Sequence, residues 1–168
     1  MNSVDPAGRC SCGDPGCTTP GKHLRNLCAT RSPERLRDWW RRWPGANVGL
    51  PTGPENGLLV LDVDSDQGGD ASLDRLSRRY GPVDADLEAL TGGGGRHLYF
   101  RYPPYPVPSR NGWREGIDIR GAGGYVVAPP SRHASGRLYR WRRGPGAGGP
   151  GDAPEWLLAL LRGEVPIP

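Results

Sequence analysis

The stretch Leu58-Leu59-Val60-Leu61-Asp62-Val63-Asp64 constrains this chain more than any other. It opens as an unbroken apolar run, fitting a strand covered on both faces, and turns polar only at its C-terminal end. Such a strand needs neighbouring strands and helical cover. Arg96–Tyr102 alternates as a strand, and Ile117–Arg120 is expected to form another, paired with Gly124–Ala128. Arg137–Trp141 alternates again, and Asn47–Leu50 is a short strand candidate before the turn at Pro51–Pro54.

Three helices are expected around these strands. Ser32-Pro33-Glu34 reads as a helix start, with Ser as N-cap and Pro at the first helical position. Leu36, Trp39, Trp40 and Trp43 then recur on one face, and this stripe is expected to be core rather than a base-stacking platform. Pro44-Gly45 stops that helix. Asp70 is expected to cap a second helix, with Leu73, Leu76 and Tyr80 inward and Gly81-Pro82 ending it. A Gly/Pro linker at 144–154 leads to a closing amphipathic helix near 154–161. Helices packed on a mixed sheet make an α+β fold rather than a doubly wound one.

Gly and Pro supply 27 and 19 residues, too many for a helical bundle. With 168 residues the chain has room for one domain with a sizeable core. No apolar run reaches the roughly 20 residues of a membrane helix and no signal-peptide pattern is present, so a cytoplasmic location without a membrane partner is expected. The net charge is +4, unevenly spread. Residues 62–88 carry eight acids against three Arg, whereas residues 96–143 carry ten Arg against two acids. An acidic centre beside a basic flank suits a protein that collects cations and then a polyanion. Of the 22 basic residues all but Lys22 are Arg, a bias that points to a GC-rich bacterium, or a phage or plasmid within one.

Strand alternation sorts the polar residues. Asp62 and Asp64 share a face, as do His97, Tyr99 and Arg101, and as do Asp118 and Arg120. If the three strands are neighbours, carboxylates, a His and Arg side chains converge on one surface. Three unpaired carboxylates would repel one another, and Mg²⁺ or Mn²⁺, which prefer hard oxygen ligands, would remove that cost. Two such ions can serve an in-line phosphoryl displacement, with the basic groups taking the triphosphate charge.

These stretches resemble the bifunctional primase-polymerase (Prim-Pol) domain of the archaeo-eukaryotic primase superfamily. NVGLPTG at 47–53 with LVLDVD at 59–64 looks like its opening, GGGRHLYF at 93–100 is similar to its second motif, and GIDIRGAGGYVVAPPS at 116–131 to its third. The similarity spans about residues 32–162. It implies an RRM-like catalytic core in which Asp62, Asp64 and Asp118 bind the catalytic metals and His97 contacts the nucleotide phosphates. It further implies Arg96 and Arg120 as phosphate or sugar contacts, and Gly94 and Gly95 as a close backbone approach to the nucleotide. Ser131 and His133 are expected to be structural.

Residues 1–31 are expected to form a cysteine-rich segment ahead of a catalytic domain at 32–168, the whole making one compact unit. Cys10, Cys12, Cys17 and His23 place four soft ligands within fourteen residues, which suits a structural zinc ion, with Cys28 as an alternative to His23. Free thiols or disulfides are the alternatives.

The expected activity is template-directed nucleotide addition, as a DNA primase, a DNA polymerase or both. Its partners would be single-stranded DNA template, primer, dNTP or NTP, and a separate helicase or other replication or repair protein. Two other classes compete: a non-catalytic, zinc-stabilised nucleic-acid-binding module, and a metal-dependent phosphodiesterase. Binding of nucleoside triphosphate separates the first reading from both.

Overall fold

The computed structural model of the chain describes residues 1–23, 29–146 and 148–164. Its elements run α1 (Pro33–Arg42), β1 (Val48–Pro51), β2 (Leu58–Val63), a short 3-10 turn (Ser65–Gln67), α2 (Gly69–Tyr80), β3 (Leu87–Leu90), β4 (Arg96–Arg101), β5 (Arg110–Arg114), β6 (Ile117–Arg120), β7 (Tyr125–Ala128), β8 (Arg140–Arg143) and α3 (Glu155–Arg162). The fold is α+β. Among the described residues no helix is long and apolar enough to cross a membrane. The chain divides into two compact units, one of Met1–Leu50, Thr91–Gly93 and Val127–Arg140, the other of Pro51–Leu90, Gly94–Val126 and Trp141–Pro168.

The second unit is built on a six-stranded sheet of order β5-β6-β2-β4-β3-β8. Its central strand is the apolar run that leads into Asp62, flanked antiparallel by β6 and β4. Leu59, Leu61 and Val63, with Leu98, Phe100, Ile117 and Ile119, make one face of the sheet. They pack with Leu73 and Leu76 of α2 and with Leu157, Leu160 and Leu161 of α3. Each such side chain contributes about 1.5–3 kcal/mol by leaving water. Ile117 is fully buried beside β2. Ile117→Ala should therefore lower unfolding free energy by about 2–5 kcal/mol in a denaturant titration. A loss below half that range would show that this layer is not the core.

α2 starts differently from the sequence expectation. Gly68, in the left-handed region at φ 82°, is the N-cap. Asp70 sits inside the first turn, where it faces the partly positive helix end and pairs with Arg96 at 2.9 Å. The helix enters so close to the neighbouring turn that a Cβ on Gly69 would lie 2.3 Å from the Gly116 carbonyl oxygen. Gly81 ends the helix as expected.

Two strands were not legible. β3 carries a buried Glu88, and β5 reads Arg-Asn-Gly-Trp-Arg, without an apolar alternation. Glu88 is tolerated because Arg142 and Arg143 of β8 each reach its carboxylate at 3.2 Å. β8 itself begins later than the alternation at 137–141 suggests. The expected pairing of Ile117–Arg120 with Gly124–Ala128 does not form. Ala122 instead donates its N–H to the Val107 carbonyl, Ser109 donates to the Ala122 carbonyl, and β7 pairs with β1 in a two-stranded sheet.

In the first unit, buried Asn47 ties distant segments together. Its side-chain amide donates to the carbonyls of Gly21 and Arg132, and its oxygen accepts from the Arg132 N–H at 2.9 Å. Ser131 Oγ accepts from the Val48 N–H at 2.7 Å, a scaffold contact. α1 has the expected Ser32 cap, but its tryptophan stripe is not core. None of the helix residues is buried, and Trp43 keeps 51% of its surface exposed. Helical periodicity located the apolar face correctly; only the packing could show what covers it.

Candidate active site and candidate metal centre

The sheet face opposite the helices holds the charged cluster, because the side chains of β2, β4 and β6 on that face are in register. Asp62 lies directly across from His97 on one side and from Asp118 on the other. Its Oδ1 is 3.2 Å from His97 Nε2 and its Oδ2 is 3.3 Å from Arg120 Nε. Arg120 also donates to Asp118 Oδ2 at 2.6 Å and to Asn111 Oδ1 at 2.7 Å. The other Asp118 oxygen accepts the Gly112 N–H at 2.6 Å. One guanidinium thus bridges two carboxylates that would otherwise repel across the strand pair.

These groups are substantially desolvated: the His97 and Asp62 side chains are only 5% and 13% exposed. Burial, the largest single influence on Asp62, pushes its carboxyl up. The hydrogen bond and charge of His97, followed by those of Arg120, outweigh it and hold Asp62 below the usual carboxylate range. Beneath His97, the Tyr99 hydroxyl lies 3.4 Å from Nδ1, and Trp141 tilts against the Tyr99 ring at 5.4 Å. A carboxylate facing Nε2 only accepts, so Nε2 carries its hydrogen, and in the neutral ring the Tyr99 hydroxyl donates to Nδ1.

Four of the residues singled out in the sequence therefore meet directly: Asp62, His97, Asp118 and Arg120. Asp64 lies just past the end of β2, still extended, with its N–H donating to the Gly116 carbonyl at 2.8 Å and its Oδ2 3.4 Å from Gln67 Nε2. Arg96 turns to Asp70. Gly94 has φ 105°, and a Cβ on Gly95 would sit 2.1 Å from the Val63 carbonyl oxygen. Close passage of β4's start against β2 thus requires glycine at 95 whatever the ligand. Gly95→Ala should destabilise the protein by more than about 1 kcal/mol in thermal or chemical unfolding; an unchanged midpoint would contradict that packing. Asn111, Gly112 and Tyr99 join the cluster without having been singled out. Asn111 and Gly112 lie on a strand with no sequence signal, and Tyr99 was marked only by its parity with His97.

The N-terminal segment brings Cys10, Cys12, Cys17 and His23 together with their ligand atoms all within 4.8 Å of one another. It is the one such group of His, Cys, Asp or Glu among the described residues. Cys17 Sγ and His23 Nε2 are 3.0 Å apart, and the Gly21 N–H donates to Cys10 Sγ at 3.3 Å. The three cysteines are free thiols, and Cys28 lies outside the described residues. Desolvation, with the neighbouring Cys12 and Cys10 sulfurs, pushes the Cys17 thiol up to about 11. Burial also pushes Cys10 up, but hydrogen bonds from the Gly21 N–H and from Cys12 outweigh it and lower that thiol. Three sulfurs and an imidazole at this separation match the soft tetrahedral donor set of zinc, so the cluster could hold that ion.

A family profile described as bifunctional DNA primase/polymerase, N-terminal, matches residues 15–156. The matched span contains the whole carboxylate cluster, together with Cys17 and His23, and leaves Cys10 and Cys12 outside. No curated protein sequence matches the chain.

Proposed function

The chain belongs to the bifunctional DNA primase/polymerase family, and we propose that it catalyses template-directed nucleotide addition to a 3′ hydroxyl. Single-stranded DNA would be the template and dNTP or NTP the substrate. The observation that carries this reading is the direct apposition of Asp62 with Asp118 and with His97 on neighbouring strands. Both carboxylates already converge on one cationic group, Arg120, and hard oxygen donors are what Mg²⁺ and Mn²⁺ select. Asp62, Asp64 and Asp118 would hold these ions, which would supply activation of the attacking hydroxyl and charge neutralisation at the leaving pyrophosphate. With the carboxylates so engaged, Arg120 becomes available to phosphate oxygens, and Arg96 can exchange Asp70 for the same charge. His97 holds the triphosphate through its Nε2 hydrogen. Gly94 and Gly95 would let the backbone approach the nucleotide closely. A separate helicase or other replication protein would work beside it.

The test is extension of a labelled primer on single-stranded DNA with Mg²⁺ or Mn²⁺, repeated without primer. Products with primer support the polymerase, and products without it add primer synthesis. Absence of synthesis by protein that still binds template would overturn the reading. It would favour a non-catalytic nucleic-acid-binding module, a reading supported by the contacts that Asp62 and Asp118 already make with Arg120.

Tyr99 is the positioning residue of this arrangement, since its hydroxyl meets His97 Nδ1 while Asp62 faces Nε2. Tyr99→Phe keeps the ring and its packing on Trp141 and removes one hydrogen bond. Nucleotide addition should fall about five- to tenfold. The nitrogen-15 shift of His97 Nδ1 should move as that hydrogen bond is lost, and an unchanged shift would rule this role out.

A further inference from the structure

We propose that the tryptophan-bearing face of α1 is a docking surface for single-stranded DNA, its rings stacking on bases and the flanking arginines holding phosphates. Helical spacing puts Leu36, Trp39, Trp40 and Trp43 in one stripe. Arg35 and Arg42 run along one flank of it and Arg37 along the other, while Arg41 turns to Asp38 at 3.0 Å. Both acids of the helix, Glu34 and Asp38, fall on the opposite side.

No residue of α1 is buried, and Trp43 is half exposed at its C-terminal end. The guanidiniums already sit on the rings, Arg35 5.7 Å over Trp39 and Arg42 4.9 Å over Trp43. A half-buried aromatic stripe that opens to water at Trp43 and is flanked by arginines has the two components that sequence-tolerant single-strand binding uses, flat π faces and fixed positive charge. A second copy of the same face would bring like charges together. Duplex DNA keeps its base faces stacked inside, so the unpaired strand is the better fit. The inference takes DNA from the family, but it does not rest on the metal or nucleotide roles given to Asp62, Asp64, Asp118 or His97.

The decisive experiment measures binding of a fluorescent oligothymidylate to the intact, zinc-loaded protein, without nucleotide or Mg²⁺. Tryptophan quenching should accompany binding. Trp43→Ala should weaken it about five- to hundredfold, and Trp43→Phe should restore most of the loss. Arg42→Glu should weaken binding and flatten its salt dependence. Arg78→Ala, an exposed change on α2, should leave affinity nearly unchanged. Binding read without nucleotide or Mg²⁺ does not depend on synthesis, which separates this result from any failure of catalysis. Unchanged affinity in Trp43→Ala and Trp39→Ala would overturn the proposal, as would a wild type that does not bind or that prefers duplex. Should Trp39→Ala fail to fold, the exposed Trp43 still decides. Loss of self-association in these variants, with DNA binding intact, would assign the face to a second copy instead.

Discussion

Alanine at Asp62 is expected to reduce nucleotide addition at least about a thousandfold while the protein remains folded. Asp62 touches both His97 and Arg120, so its loss removes a proposed metal ligand and releases two basic groups at once. Stability should suffer less than activity. Arg120 keeps Asp118 and Asn111 as partners. Asp118 should behave differently, because its second oxygen accepts the Gly112 N–H and helps hold the irregular middle of β5 against β6. Asp118→Ala should therefore lose stability as well as activity, whereas Asp118→Asn, which keeps an acceptor oxygen there, should lose activity with a smaller drop in melting temperature. Rates from primer extension and melting curves on the same preparations check both statements. Synthesis by Asp62→Ala at a tenth of the wild-type rate would refute the metal assignment.

Removal of zinc is expected to have the largest effect on stability. The segment carrying Cys10, Cys12 and Cys17 is rich in Gly and Pro and contributes little core beyond Val4. Zinc binding to comparable segments is worth about 10–16 kcal/mol at neutral pH, and much of it appears as folding free energy. Its loss would travel through Asn47, which joins the Gly21 carbonyl at the end of this segment to Arg132. A loss of only about 4 kcal/mol would lower the melting temperature by roughly 10 °C. Purified protein should carry stoichiometric zinc, a strong chelator should remove it with that drop, and re-addition should restore it. Uptake should also release protons, because the Cys17 thiol is protonated at neutral pH in the metal-free cluster. Cys17→Ser should reproduce the chelated state. Protein that purifies with far less than one equivalent, or that melts unchanged after chelation, would exclude a structural ion.

The strands that build the cluster were readable because their signal is local. A strand repeats every two residues, so LVLDVD, RHLYF and IDIR each declare which side chains share a face before any partner is known. The same three stretches carried the resemblance to the primase-polymerase family that the profile match bears out. Their adjacency needed one further assumption, that they are neighbours, and the order β6-β2-β4 meets it. The Cys/His grouping was readable for a similar reason: short spacing limits how far four ligands can separate.

What lay beyond the sequence depends on contacts between segments far apart in the chain. β3 reads poorly as a strand because Glu88 is polar, and its burial is stabilised by arginines more than fifty residues later. β5 owes its existence to the open edge of β6, whose backbone groups need partners. Asp70 gave up the cap because the close approach of Gly69 to Gly116 fixed where α2 begins. The resemblance implies Arg120 as a phosphate or sugar contact, and only the fold shows that it also lies between Asp62 and Asp118. The sequence by itself determined which residues stand on which face, since that follows from backbone geometry over a few residues. Tertiary structure alone decided what each face meets, as the α1 tryptophans show, because burial and pairing are free-energy differences between whole arrangements of the chain.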